Sequence, residues 1–166
     1  MTNPIDPREL GRLLDENAKS LSLYAAQWTT APDDCVQEAF VALAAMTERP
    51  ESAKAWLFRA VRNLALNELR SSQRRVTRES QAAESHRLAT DPALITDANE
   101  QREALLKKLD GLEACDREVI LLRIWSELTW QEIAELTETS SSSAQRRYAA
   151  ALEKLRIELE KKCLTK

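Results

Sequence analysis

The chain is poor in the residues that build sheets, clusters and membrane spans. Glycine occurs twice in 166 residues, aromatics make up 5%, and no alternating Val/Ile/Thr runs lie between turn residues. A sandwich or barrel draws on all of these, so a sheet fold is not expected. One histidine, His86, and three scattered cysteines, Cys35, Cys115 and Cys163, provide no CxxC pair. They are too few and too far apart for a zinc site, and an odd, dispersed set makes no disulfide framework. A reducing compartment fits that usage. No apolar run is long enough to span a bilayer, and MTNPIDPREL at the start lacks the apolar segment of a signal peptide. A Gly-rich phosphate loop and a Cys/His pair are missing too. The expectation is a cytoplasmic protein with no membrane insertion, no metal, no cofactor and no catalysis of its own.

What is present forms helices. Ala, Leu, Glu and Arg dominate, and these lose little rotamer freedom in a helix, so the expected class is all-α. Pro7 to Arg75 reads as three helices. The first runs to about Trp28. The second follows TTAPDD, where Pro32 suits a first turn and Asp33 and Asp34 suit the positive helix end. A break at Glu48-Arg49-Pro50 precedes the third, with Ser52 as its cap. Residues 76–97, VTRESQAAESHRLATDPALITD, lose the periodicity and read as a flexible linker. At ~3.3–3.6 Å per residue it reaches at most roughly 75 Å. Patterning resumes at Asp97, where D-A-N-E is a capping-box signature, and Thr129-Trp130-Gln131-Glu132 is a second one. IAEL, a polar turn at Thr137-Glu138-Thr139, and a last helix from Ser140 past Leu159 then make a helix-turn-helix. Two small helical domains, residues 1–75 and 98–166, are expected on either side of the linker.

The net charge is −3, which argues against non-specific coating of nucleic acid. Local distribution matters more. From Arg59 to Arg78 there are six arginines and one acid, Glu68. On the third helix Leu57, Phe58, Val61, Leu64, Ala65 and Leu69 form one face, and Trp56, Arg59, Asn63, Asn67, Arg70 and Arg74 the other. A solvated face would carry Glu and Lys; Trp, Arg and Asn suit opened DNA, through stacking, base edges and phosphate. The bland alternative for Trp56 is a place in the core. On the last helix Ala144, Tyr148, Ala151, Leu152 and Leu155 should pack on Ile133 and Leu136. Ser142, Arg146, Ala149 and Ala150 lie opposite, with Gln145 at the edge. Small side chains let a helix sit deep in the major groove, where Gln145 and Arg146 reach base edges. The serine run Ser140 to Ser143 at the helix start suits phosphate oxygens. An ordinary helical hairpin with a solvated face is the competing reading.

LTWQEIAELTETSSSSAQRRYAAALEKLR resembles the promoter-reading helix-turn-helix of the extracytoplasmic-function (ECF) subfamily of bacterial sigma-70-type sigma factors, and LDGLEACDREVILLRIW resembles the helices that support it. The resemblance implies minus-thirty-five contacts from Ser141, Ser142, Ser143, Gln145, Arg146, Arg147, Ala149 and Ala150. Glu138 stands where the family usually has Gly. AWLFRAVRNLALNELRSSQRR is similar to the segment that binds and opens the minus-ten element. That implies base contacts from Asn63 and Asn67, backbone contacts from Arg59, Arg62, Arg70 and Arg74, and a place for Trp56 in the same site. DDCVQEAFVALAAM is similar to the segment that docks on the polymerase clamp helices, which implies that Asp33, Asp34, Gln37 and Glu38 face core RNA polymerase. Acids beside apolar groups suit a basic coiled coil.

The expected function is an alternative sigma factor that binds core polymerase, at its largest-subunit clamp helices and its flap, and reads promoter DNA. An anti-sigma factor is an expected partner, and a closed form of the free protein is expected by analogy. Two other readings compete. One is a stand-alone helix-turn-helix regulator whose amino-terminal half senses or dimerises, which has no need for the Trp/Arg/Asn stripe. The other is a helical adaptor or anti-sigma-type protein that never touches DNA, against which the arginine run and serine-led helix count.

Overall fold

The computed structural model describes residues 4–82 and 97–164. His86, most of the expected linker (residues 83–96) and the side chain of Asp97 with its capping box lie outside what is described. Seven helices occur in the described residues: α1 (Pro7–Ala25), α2 (Pro32–Ala44), α3 (Ala53–Ala82), α4 (Asp97–Leu109), α5 (Ala114–Trp125), α6 (Trp130–Leu136) and α7 (Ser141–Leu164).

The first three pack against one another as a bundle. Asp6 caps α1 by accepting from the Arg8 backbone N–H at 2.8 Å, with Pro7 in the first turn. α1 ends at Ala25, three residues short of the expected Trp28, because the chain turns there: the N–H groups of Trp28 and Thr29 both return to the Ala25 carbonyl. In α2 the apolar positions Cys35, Val36, Ala39, Phe40 and Leu43 recur at helical spacing and are all buried. Ser52 caps α3 as expected, its Oγ accepting from the Ala55 N–H at 3.2 Å. Leu57, Phe58, Val61 and Ala65 bring α3 into the core. Each large side chain buried this way contributes ~1.5–3 kcal/mol.

α3 is 30 residues long, about 45 Å at ~1.5 Å per residue. It continues through Val76–Ala82, where the sequence had suggested that the linker begins. From Gln73 to Arg78 its side chains are exposed, so the far half stands clear of the bundle.

In the second bundle α5, α6 and α7 pack pairwise, and α4 precedes them in the chain. Thr129 and Glu132 form the expected capping box at the start of α6. Ile133, Leu136, Ala144 and Ala151 are buried between α6 and α7, and Trp130 meets Tyr148 edge-on at 5.4 Å. Leu152 does not join them. It is 39% exposed, a correction to the expected packing face, because it lies at the rim of a stripe that Ala151 and Leu155 already fill. Glu138 in the turn between α6 and α7 takes a left-handed conformation, φ 55°.

The two bundles touch, α1 against α5 and α3 against α6. Tyr24 sits at that junction fully buried, with its ring 5.1 Å from Trp28 and 5.4 Å from Phe58. Its hydroxyl donates to Glu118 Oε1 on α5 at 2.7 Å.

Candidate nucleic-acid and polymerase interface

α3 sorts its residues by helical period. Arg59, Asn63, Asn67, Arg70 and Arg74 are all exposed. Trp56 is half-buried and packs against the core, so the bland reading of that residue holds in part. Arg62 turns inward: its Nε donates to Glu118 Oε1 at 2.7 Å, and its side chain is only 21% exposed. Burial alone would lower the Arg62 pKa, but the hydrogen bond and charge of Glu118, with Tyr24 and Glu138, outweigh it and raise it. Along the far half of α3, Arg70, Gln73, Arg74, Thr77 and Arg78 line a shallow groove of about 360 Å³. Arg78 enters this surface because the helix runs on past Arg75. An open groove edged by guanidinium groups matches the chemistry of a nucleic-acid backbone.

At the start of α7, Ser140 is the cap, its Oγ accepting from the Ser143 N–H at 3.2 Å. Ser142, Gln145, Arg146, Ala149 and Ala150 are exposed together on one face. The other expected members of this site are partly engaged. The Ser141 hydroxyl donates to Gln131 Oε1 at 3.2 Å, which ties α7 to α6. Ser143 Oγ accepts from Arg146 at 3.2 Å. Arg147 Nε lies 3.9 Å from Asp116 of α5, which directs it towards the supporting helices.

Asp33, Asp34, Gln37 and Glu38 are exposed along the first turns of α2. Asp33 also accepts from the Ser22 hydroxyl and lies 3.5 Å from Arg102 of α4. Beside them α1 and α2 leave an apolar groove of about 390 Å³, with Leu10, Leu14, Phe40 and Val41 on its walls and Asp33 and Gln37 at its edge. Leu14 and Val41 are 43% and 63% exposed. An apolar trough with an acidic edge is suited to a helical partner that carries basic groups beside its apolar face. Cys35 faces the other way and is buried. Desolvation, with Glu68, Glu38 and Asp34 nearby, pushes its thiol up to about 11.

Sequence reasoning missed the contacts between the bundles: Tyr24 with Glu118, Ser52 with Glu132, Lys54 with Glu127 and Arg59 with Glu135. Glu118 alone left a trace, an acid on the apolar face of α5 that recurs with Leu121 and Leu122. Among the described residues no group of His, Cys, Asp and Glu is arranged to hold a metal, and no helix is long and apolar enough to cross a membrane.

Residues 13–75 match the family model of Sigma-70 region 2, and residues 102–155 that of Sigma-70, region 4. No curated protein matches the chain by sequence. Among solved structures, CnrH in complex with the cytosolic domain of CnrY is 24% identical, covering 93% of this chain and 90% of that one, with a TM-score of 0.61. The sigma factor RpoE in complex with the anti-sigma factor NepR, from Bartonella quintana, is 22% identical, covering 92% and 98%, with a TM-score of 0.67. Region 2 at 13–75 displaces both rival readings, a regulator with a sensing amino-terminal half and an adaptor that never meets DNA. With both regions in order and only residues 76–101 between them, the chain belongs to the sigma-70 family, in the two-region arrangement of its extracytoplasmic-function members, and directs transcription initiation.

Proposed function

We propose that this sigma factor docks on core RNA polymerase through α2, with Asp33, Asp34, Gln37 and Glu38 facing the clamp helices and the groove beside them taking apolar side chains. Its second bundle engages the flap. The α3 stripe then meets the minus-ten element, with Asn63 and Asn67 at bases and Arg59, Arg62, Arg70 and Arg74 at the backbone, while Trp56 supports the stripe from the core side. The start of α7 reads the minus-thirty-five element through Ser142, Gln145 and Arg146. Ser141, Ser143 and Arg147 hold its orientation, and Ala149 and Ala150 let it approach the groove closely. The observation that carries this reading is the exposed line of Arg and Asn along α3, set apart from a second exposed polar helix start. Residues 1–75 form the first functional unit, 98–166 the second, and the stretch from 76 to 97 spans between them.

The protein works in the cytoplasm and does no chemistry; polymerase carries out the reaction. Both structural neighbours hold a partner protein, and NepR is named an anti-sigma factor. An anti-sigma partner for this chain follows by that likeness. Promoter assays with purified core polymerase test the assignment. Arg146→Ala is expected to lower upstream-element selectivity by ~1–3 kcal/mol per lost base contact while core binding stays intact. Asn67→Ala is expected to slow opening of duplex promoter more than binding to pre-melted DNA. Loss of core binding in Arg146→Ala, or equal effects of Asn67→Ala on both DNA forms, contradicts the assignment of those residues.

A further inference from the structure

The exposed stripe of α3 runs on past the residues assigned to the minus-ten element. Counted by helical period, Asn63, Asn67, Arg70, Arg74 and Arg78 fall within one sector of about 80°, so Arg78 prolongs the line that the asparagines begin. The character of that line changes along the helix. Its head offers Trp56 and the amides of Asn63 and Asn67. Beyond Arg70, α3 has no aromatic and no Asn, and from Leu69 to Arg78 there are four arginines and no acid. Here Arg70, Gln73, Arg74, Thr77 and Arg78 wall the shallow groove of about 360 Å³. The Thr77 hydroxyl donates to the Gln73 carbonyl at 2.9 Å, which leaves the guanidinium groups and the Gln73 amide as the donors of the groove. Arg59 and Arg62 face Glu135 and Glu118, whereas Arg70, Arg74 and Arg78 have no ion-pair partner among the described residues. Thr77 and Arg78 also lie past residue 75, where the match to Sigma-70 region 2 ends.

We propose that this groove seats the phosphate backbone of double-stranded DNA immediately upstream of the opened minus-ten segment, and holds it without regard to sequence. The proposal rests on the assignment of the α3 head to the minus-ten element. Two features of the groove select duplex backbone. Single strands are held by stacking on aromatic rings, and the far half of α3 has none. Base edges are read by closely spaced amides, as at Asn63 and Asn67; here one amide, Gln73, stands among guanidinium groups, a set that suits phosphate. Chain order gives the direction. α3 leads on to the second bundle, whose α7 is assigned to the minus-thirty-five element, so its far end faces the upstream side of the opening. From Asn67 to Arg78 the helix advances about 16 Å, which spans at most about five base pairs at ~3.4 Å each. Backbone contacts fix register and orientation and carry no sequence information. The groove thus anchors the duplex edge of the opening while Asn63 and Asn67 take the bases.

The test uses the full chain assembled with purified core polymerase, on a promoter fragment from which the native complex initiates. Binding is followed by fluorescence anisotropy over a series of salt concentrations. Arg78→Ala, at an exposed helical position, is expected to lower the slope of log affinity against log salt by about 1, and Arg74→Ala with Arg78→Ala by about 2. Scrambling the first base pairs upstream of the minus-ten element is expected to leave native binding unchanged, and a loss there overturns the proposal. Replacing their phosphates by uncharged methylphosphonates is expected to weaken native binding and to erase the difference between the native chain and Arg78→Ala. A deficit of Arg78→Ala that persists in full on that fragment overturns the proposal, because Arg78 then meets something other than those phosphates. Arg75→Ala removes an equal charge from a residue outside the groove and is expected to change the slope little. An equal change overturns the proposal too, since net charge alone would explain it. Asn67→Ala separates the two levels of inference. If it slows promoter opening while Arg78→Ala binds as the native chain does, the upstream groove is wrong and the minus-ten assignment stands. If neither substitution changes binding or opening, the assignment of α3 fails and the groove falls with it.

Discussion

Glu138 sits at φ 55°, a region in which a residue with a Cβ costs ~1–2 kcal/mol. The turn between α6 and α7 requires that conformation at this position. Glycine would adopt it freely while losing ~0.5–1 kcal/mol through its looser unfolded state. Glu138→Gly is therefore expected to stabilise the protein by ~0.5–1 kcal/mol, read as a higher thermal midpoint. Glu132 gives a pH signature. Burial alone would raise its pKa, but hydrogen bonds from the Thr129 N–H, the Ser52 hydroxyl and the Thr129 hydroxyl, with the Lys54 charge, hold it below the usual 4.5. A depressed carboxylate stabilises the fold above its unfolded pKa and loses that contribution as pH falls through the folded value. The stability gap between the native protein and Glu132→Gln is thus expected to be full at neutral pH and to close as pH falls below the usual 4.5 and through the lowered folded-state value, followed by urea unfolding. Cys35, with its thiol pushed up to about 11 and its side chain buried, is expected to resist alkylation at pH values near 8 under which exposed Cys115 reacts. Equal reaction rates would contradict the packing of α2.

The helices divide by how local their causes are. The capping box at Thr129 and Glu132, the cap at Ser52 and the proline starts of α1 and α2 are written within four residues of chain. So is the burial of Leu57, Phe58, Val61 and Ala65, which follows from period alone, and these features were legible in the sequence. The far half of α3 was not. Val76–Ala82 has no apolar stripe, and it extends a helix whose stability comes from the packed turns before it. Leu152 was misplaced for the opposite reason, because its period is right but the neighbouring helices leave its flank open. Among the site residues, the exposed face of α7 was legible as a set, whereas the engagement of Ser141, Ser143 and Arg147 depends on Gln131, Arg146 and Asp116, partners that no face diagram reveals. At this scale Phe58 tests the bundle most simply. Phe58→Ala removes a side chain that touches Tyr24 across the core and is expected to cost ~3–5 kcal/mol in urea unfolding.

At the scale of the molecule the decisive contacts join residues far apart in sequence. Tyr24 and Glu118 are 94 positions apart, and nothing in either neighbourhood announces the other. That is why the sequence could indicate two domains without indicating how they meet. In the structure, the surface assigned to polymerase lies open on α2, the proposed reading face of α7 is open, and Arg59, Asn63 and Asn67 are exposed on α3 while Arg62 is paired with Glu118. Those open surfaces fit the proposed reading of the chain as a sigma factor that works on core polymerase. Binding of the full chain to purified bacterial core polymerase, followed by run-off transcription from a promoter library, tests that claim most directly. Saturable binding with initiation from a restricted set of promoters is the predicted result. Failure of the native chain to bind core polymerase would contradict it.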